Sequence, residues 1–261
     1  MTQDASPRLG LGSPALVRLL AGLSHAQANA PTLPLAERLV QWMGWSDAIA
    51  LSGALNGAPP AVAADDAAEV GAGQGEYALL RASLTDAIQV VNAQPVRRQG
   101  PWGGGGQSQA RPVPLDYPSY RQRYVSLQQK METRIADLRA RLRTMLASRT
   151  PEMARLALVD AAMEQAIALH EQTALLKVPA LLELHFKRLR EQAEASAQAA
   201  KEADPEQAEV PSRAMPSAGT PAWLDIFRKD MQSVLLAELD LRLQPLEGLL
   251  AALRAGEPET L

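Results

Sequence analysis

With cysteine absent from the chain, its three histidines, His25, His170 and His185, are the residues best suited to metal or acid–base chemistry. A metal held by helical side chains needs imidazoles and carboxylates about one turn apart, so that they share a face. Glu171 directly follows His170, and Glu183 stands two residues before His185, so neither pair converges on one ion. Both histidines fall near apolar stripes, where an imidazole packs at the edge of a core. Nucleophilic chemistry has no better footing. The lack of cysteine removes thiolates, and no Gly-x-Ser-x-Gly turn sets up a serine. The run Gly103 to Gly106 lacks the Lys-Ser/Thr ending and the preceding strand of a phosphate loop, and Pro101 and Pro114 flank it, so it reads as linker. No catalytic, cofactor-binding or metal-binding set emerges, and the expectation is a protein that is not an enzyme and needs no cofactor.

Charge offers a second kind of chemistry. Between Tyr120 and Arg149 the basic residues are Arg121, Arg123, Lys130, Arg134, Arg139, Arg141, Arg143 and Arg149, against only Glu132 and Asp137. Such a helix could meet a phosphate backbone, an anionic membrane surface or an acidic protein, and Arg134, Arg139, Arg141 and Arg143 are the candidate contacts. Arg139, Arg141 and Arg143 are two residues apart, which spreads them around the helix. The whole chain carries 26 basic and 29 acidic residues, and no zinc finger, RNA-binding aromatic motif or helix-turn-helix is recognisable. A solvated face bordering a packing seam is the simpler reading; a nucleic-acid-associated regulator is the alternative.

The elements that would carry these residues read as helices. Ala and Leu abound, aromatics make up 4% of the 261 residues, and β-branched residues are sparse, a composition that favours an all-α fold. The longest regular signal is a seam of Tyr124, Leu127, Met131, Ile135, Leu138, Leu142 and Met145 at gaps of three or four, the stripe of a long amphipathic helix. Thr150-Pro151 caps a return helix with Leu156, Val159, Met163, Ile167, His170 and Ala174 near one stripe. A short connection between long helices predicts an antiparallel hairpin, with the return helix as the seam's first partner. Pro179 breaks or kinks the chain before Leu182, Phe186 and Leu189.

Residues 13–93 form an N-terminal helical region. It holds a helix from Pro14 to Leu23, a second from Leu35 to Leu55 in which Gly44 either permits close helix contact or marks a kink, an Ala- and acid-rich linker through Gly75, and a third helix from Glu76 to Val91. A Gly/Pro-rich linker follows at 94–118, the hairpin with its extension at 119–190, an acidic linker at 191–219 and a C-terminal helical segment at 220–255. In that last segment Pro245 kinks or divides the helix. The predicted architecture is an elongated hairpin or bundle with added terminal helices and disordered linkers. No apolar run approaches membrane-spanning length and no signal peptide is evident, which with the missing cysteines predicts a cytoplasmic protein.

Four aromatics, Trp42, Trp45, Trp223 and Phe227, are candidates for either core or interface anchoring, and Trp45 is the better placed for exposure. Several segments also resemble one proteobacterial family of functionally uncharacterised proteins, the DUF3348 family. They are Leu16-Val17-Arg18-Leu19-Leu20, Leu35-Ala36-Glu37-Arg38-Leu39, Trp42 to Ile49, Phe227-Arg228-Lys229-Asp230 and Leu236 to Pro245. The resemblance brings no catalytic residue or cofactor; it implies an assembly component associated with cell-envelope or motor-like proteins. The expected function is protein–protein interaction or self-association, without an integral membrane segment.

Overall fold

The computed structural model describes residues 15–24, 37, 41–57, 70–93, 116–203 and 221–255. These residues are helical apart from caps and short turns, so the all-α class holds. Named in chain order, the helices are α1 (Ala15–Ser24), α2 (Trp45–Asn56), α3 (Val70–Ala93), α4 (Tyr117–Ala147), α5 (Pro151–Leu175), α6 (Val178–Ala203) and α7 (Ala222–Ala255). His25, Leu35, Leu39 and Gly103 to Gly106 lie outside the described residues.

Local chemistry sets most of the ends. Asp116 precedes α4 in extended backbone, and Ser119 Oγ donates to its carboxylate at 2.9 Å; Pro118 sits in the first turn, where no intrahelical N–H is needed. Thr150 Oγ1 accepts from the Met153 N–H at 3.2 Å, the cap foreseen from its sequence. Pro179 also stands in a first turn, so it starts α6 after the Leu176-Lys177 turn. Pro245 lies inside α7, which runs through it without division.

Two helices extend beyond their predicted limits. The third helix begins at Val70, inside the stretch read as linker. There Gly73 allows a close approach: a Cβ at that position would stand 3.1 Å from Leu142 and 3.5 Å from Leu250. Tertiary packing at this triple contact overrides the weak helix propensity of glycine. Helix α6 continues through Glu191 to Ala203, into the segment read as acidic linker. Ala, Gln and Glu are strong helix formers, and Arg190–Glu194 and Gln198–Glu202 pair one turn apart, which suffices without a buried stripe.

Helix α4 lies at the centre, against α3, α5, α6 and α7, and its most extensive neighbour is α7. Tyr124, Leu127, Met131, Ile135, Leu138 and Leu142 are buried, and the stripe ends on Leu146 while Met145 is half-buried. The hairpin partner α5 does pack on α4, but through a different face from the one its large side chains suggested. Ala157 and Leu175 join the core on the side of Asp160 and Glu164, whereas Leu156 and His170 are exposed. The seam's main cover is α7, which contributes Leu224, Met231, Val234, Leu235, Leu239, Leu243 and Leu246 to the same core.

Candidate interaction surfaces and the buried polar core

Helix α2 is built to be separate from that core. Gly44, in extended backbone, ends the turn after Trp42 and caps α2, and the Asp47 carboxylate accepts its N–H at 3.0 Å. This break sends the paired tryptophans in different directions. Trp42 stacks on His170 of α5, ring centroids 5.3 Å apart, and its carbonyl meets His170 Nε2 at 3.3 Å. At the other end of α2, Arg155 Nη2 donates to the Gly57 carbonyl at 3.3 Å, so α2 runs antiparallel along α5. Trp45, three residues from Trp42, is 84% exposed, and Ile49 is 56% exposed. With Ala48, Ser52, Gly53 and Asn56 they line a shallow concavity of about 510 Å³ on the outer side of α2. That face carries no charged side chain.

The other aromatic candidates are used inside. Phe227 is fully buried and Trp223 half-buried. Phe186 packs edge-on to Phe227 at 4.9 Å and to Trp223 at 5.2 Å, and Tyr120 meets Phe227 at 5.3 Å. These edge-to-face contacts join α4, α6 and the start of α7.

The four candidate arginines are all engaged within the chain. Arg139 and Arg143 form a cluster with α5: Arg139 reaches Asp160 at 2.6 Å and Glu164 at 3.1 Å, and Arg143 reaches the same two carboxylates at 2.6 Å each. Burial alone would raise the Asp160 carboxyl, but hydrogen bonds from Arg139 and Arg143 outweigh it and hold it below its ordinary value. Arg141 pairs with Glu76 of α3 at 2.9 Å, and Arg134 donates to Ser83 at 2.8 Å. Alternating spacing spreads these cations around α4, which is how one helix reaches acids on two neighbours.

One polar centre falls on residues that the motif reading passes over. Glu238 of α7 is fully buried. Tyr124 donates to it at 2.6 Å, Gln128 Nε2 at 3.0 Å, and Arg242 Nε at 3.0 Å. Arg242 also approaches Glu171 of α5 at 3.6 Å. Burial, followed by the adjacent Glu238 carboxylate, pushes the Tyr124 hydroxyl well above its ordinary pKa, so it remains a donor. The available signal is an acid on the apolar stripe of α7, one turn after Val234 and Leu235. Both oxygens of this buried carboxylate therefore accept from donors on α4 and α7.

Among the described residues, no group of three or more His, Asp or Glu side chains is placed to hold a metal ion. No described helix is long and apolar enough to cross a membrane. The family resemblance can be decided on a wider footing, since one family model matches residues 1–255. The chain belongs to the DUF3348 family. Proteins of this family are described as being of unknown function. No curated protein and no solved structure matches the chain. The DUF3348 match spans α1 to α7, so the outer face of α2 and the Glu238 centre both fall within the family's extent.

Proposed function

We propose that this chain is a non-enzymatic assembly subunit that binds another protein, or further copies of itself, through the outer face of α2. The observation that carries this reading is Trp45, a large aromatic side chain 84% exposed beside Ile49 on an uncharged helical face. A tryptophan left in water contributes little to folding, whereas buried in an interface it is among the most effective anchors. The small residues Ala48, Ser52 and Gly53 leave room beside it for a partner's side chains. A cytoplasmic setting belongs to the same reading and fits a chain without cysteine. The polyanion alternative draws no support from Arg134, Arg139, Arg141 and Arg143, each of which bonds within the chain.

The test compares the wild type with a Trp45→Asp/Ile49→Asp variant. Both are expressed at native level in the source cell, purified with what accompanies them, and weighed in solution at micromolar concentration. The expected result is a companion protein, or a mass above that of one chain, that disappears in the variant while helix content is retained. A monomeric wild type with the same companions as the variant would overturn the proposal.

A further inference from the structure

Helix α1 is fastened to the body by an arginine that lies beside a buried histidine. The helix packs on α6 and α7, burying Leu16 and partly burying Leu20 and Leu23. Its last turn is held by Arg188 of α6, whose Nη2 donates to the Leu23 carbonyl. The same Nη2 lies 3.5 Å from His185 Nδ1, and His185 Nε2 is 2.7 Å from Asp230 Oδ2 on α7. His185 is itself buried, with its ring beside Phe227.

A neutral His185 can meet both contacts in only one tautomer. Arginine has donors only and keeps its charge, so the nitrogen facing it must be an acceptor. Nδ1 therefore carries the lone pair, and Nε2 carries the hydrogen that goes to Asp230. A second proton can enter only at Nδ1. It would set an N–H of a cationic ring against an N–H of a cationic guanidinium, with both donors and no acceptor between them. The Asp230 bond holds the ring in either state, so the movable partner is Arg188.

The other charged groups nearby do not substitute for it. On α6, Glu183 pairs with Lys187 at 2.7 Å, and Glu191 is exposed at the rim of the concavity that Arg188 and Ser24 line. On α7, Asp225 pairs with Arg228 at 3.4 Å. The only charged side chain of α1 is the exposed Arg18. From α4 the neighbouring titratable groups are Tyr117 and Tyr120, both packed on Phe186, with Asp116 and Arg121 exposed and Arg123 half-exposed in the same first turns.

We propose that His185 is a proton-operated latch for α1: neutral, it helps Arg188 hold the Leu23 carbonyl, and protonated, it displaces Arg188 and frees the helix. Release would uncover the apolar side of α1 and the surface of α6 and α7 beneath it.

The absence of native cysteine makes a distance measurement direct. Gly22→Cys on α1 and Ala195→Cys on α6, both exposed, are spin-labelled in the full chain, and the inter-label distance is recorded at pH 7.5 and pH 5.5. The expected wild-type result is a narrow distribution at pH 7.5 that loses its short-distance population at pH 5.5. His185→Gln, which keeps hydrogen bonding but cannot take up a proton, should stay narrow at both values. Arg188→Gln should be broad at both. A wild-type distribution unchanged by pH would overturn the latch. So would a His185→Gln protein that broadens as much as the wild type, or an Arg188→Gln protein that stays narrow. Circular dichroism at both pH values separates release of α1 from general unfolding, and loss of most helical signal at pH 5.5 would also count against the proposal.

Discussion

The α4–α7 contact and the α2–α5 contact each join two helices of the chain, yet they differ in almost every physical respect. Between α4 and α7, Tyr124, Met131, Leu138, Leu142, Phe227 and Leu235 have essentially no exposed surface. A charged carboxylate, Glu238, is enclosed among donors from Tyr124, Gln128 and Arg242. Helix α2, by contrast, has no buried residue. It lies along α5, with the Trp42–His170 stack and the Arg155–Gly57 bond at its two ends, and its largest side chain points to water. The first contact is where apolar area stabilises the fold. The second leaves apolar area unspent, and unspent area is what an assembly surface needs.

The sharpest way to break the contrast is to put a charge into the first contact. Leu142→Asp places a carboxylate at a site with no exposure, beside Gly73 and the α3 crossing. The loss should be above about 4 kcal/mol, through both missing packing and an unpaired buried charge. Chemical denaturation followed by circular dichroism would show a protein largely unfolded without denaturant. Ile49→Asp, the same kind of change on α2, should shift stability by less than about 0.5 kcal/mol.

Next in size is the polar pin. Glu238→Ala leaves the Tyr124 hydroxyl, the Gln128 amide and the Arg242 guanidinium facing a space without their acceptor. Removing one member of a buried charged network costs about 3–5 kcal/mol. Glu238→Gln keeps one acceptor oxygen but loses the charge opposite Arg242, and should fall between alanine and wild type. A Glu238→Ala protein as stable as wild type would mean that the network is not closed as described.

How much of this could be read in advance depends on what kind of fact is asked. The helices and the seam follow from spacing alone, because Tyr124 through Leu142 repeat at helical intervals whatever covers them. The cover does not follow. Periodicity marks a buried face but carries no information about which helix meets it, and short connections favour the next one along. In α5 the guide also misled, since the face toward the body is marked by Ala157, Leu175 and the acids Asp160 and Glu164, a set that a scan for large apolar residues passes over. The arginines of α4 show the same limit for charge. Their count reads most simply as a solvated face and allows an external polyanion, but Asp160 and Glu164 lie on the neighbouring helix and only the packed structure brings them to Arg139 and Arg143. Gly44 was legible as a possible break, and the divergence of Trp42 from Trp45 followed from it once the break was real.

Between the two extremes stands the α4–α5 ion cluster, part-buried and part-wet. Asp160→Asn removes the charge shared by Arg139 and Arg143, and the expected cost is roughly 2 kcal/mol at neutral pH, the scale of a hydrogen bond to a charged group. The pH dependence has a definite sign. The Asp160 carboxyl is held below its ordinary value in the folded chain, so its stabilisation is complete above the unfolded value of about 4 and is lost as pH falls through the lower folded value. The gap between wild type and Asp160→Asn, measured by urea titration, should therefore be constant from pH 7 to pH 5 and narrow below pH 4. A gap that widens on acidification would show that the arginines do not stabilise the charged form.

The smallest expected effect on folding is the most informative about use. Trp45→Ala removes a large apolar side chain, but one already 84% in water, so its folding cost should lie within about 0.5 kcal/mol. Trp223→Ala takes the same side chain from beside Phe186 and should cost about 3 kcal/mol. Measured side by side, the two substitutions separate a residue kept for packing from one that packing does not need. If Trp45→Ala destabilises as much as Trp223→Ala, the α2 face is covered within the chain and has no area to offer. If it leaves the melting curve in place and removes the associated protein or the higher mass, Trp45 acts between molecules. The apolar surface of α2 is then explained by assembly, in the same terms that explain the seam by folding.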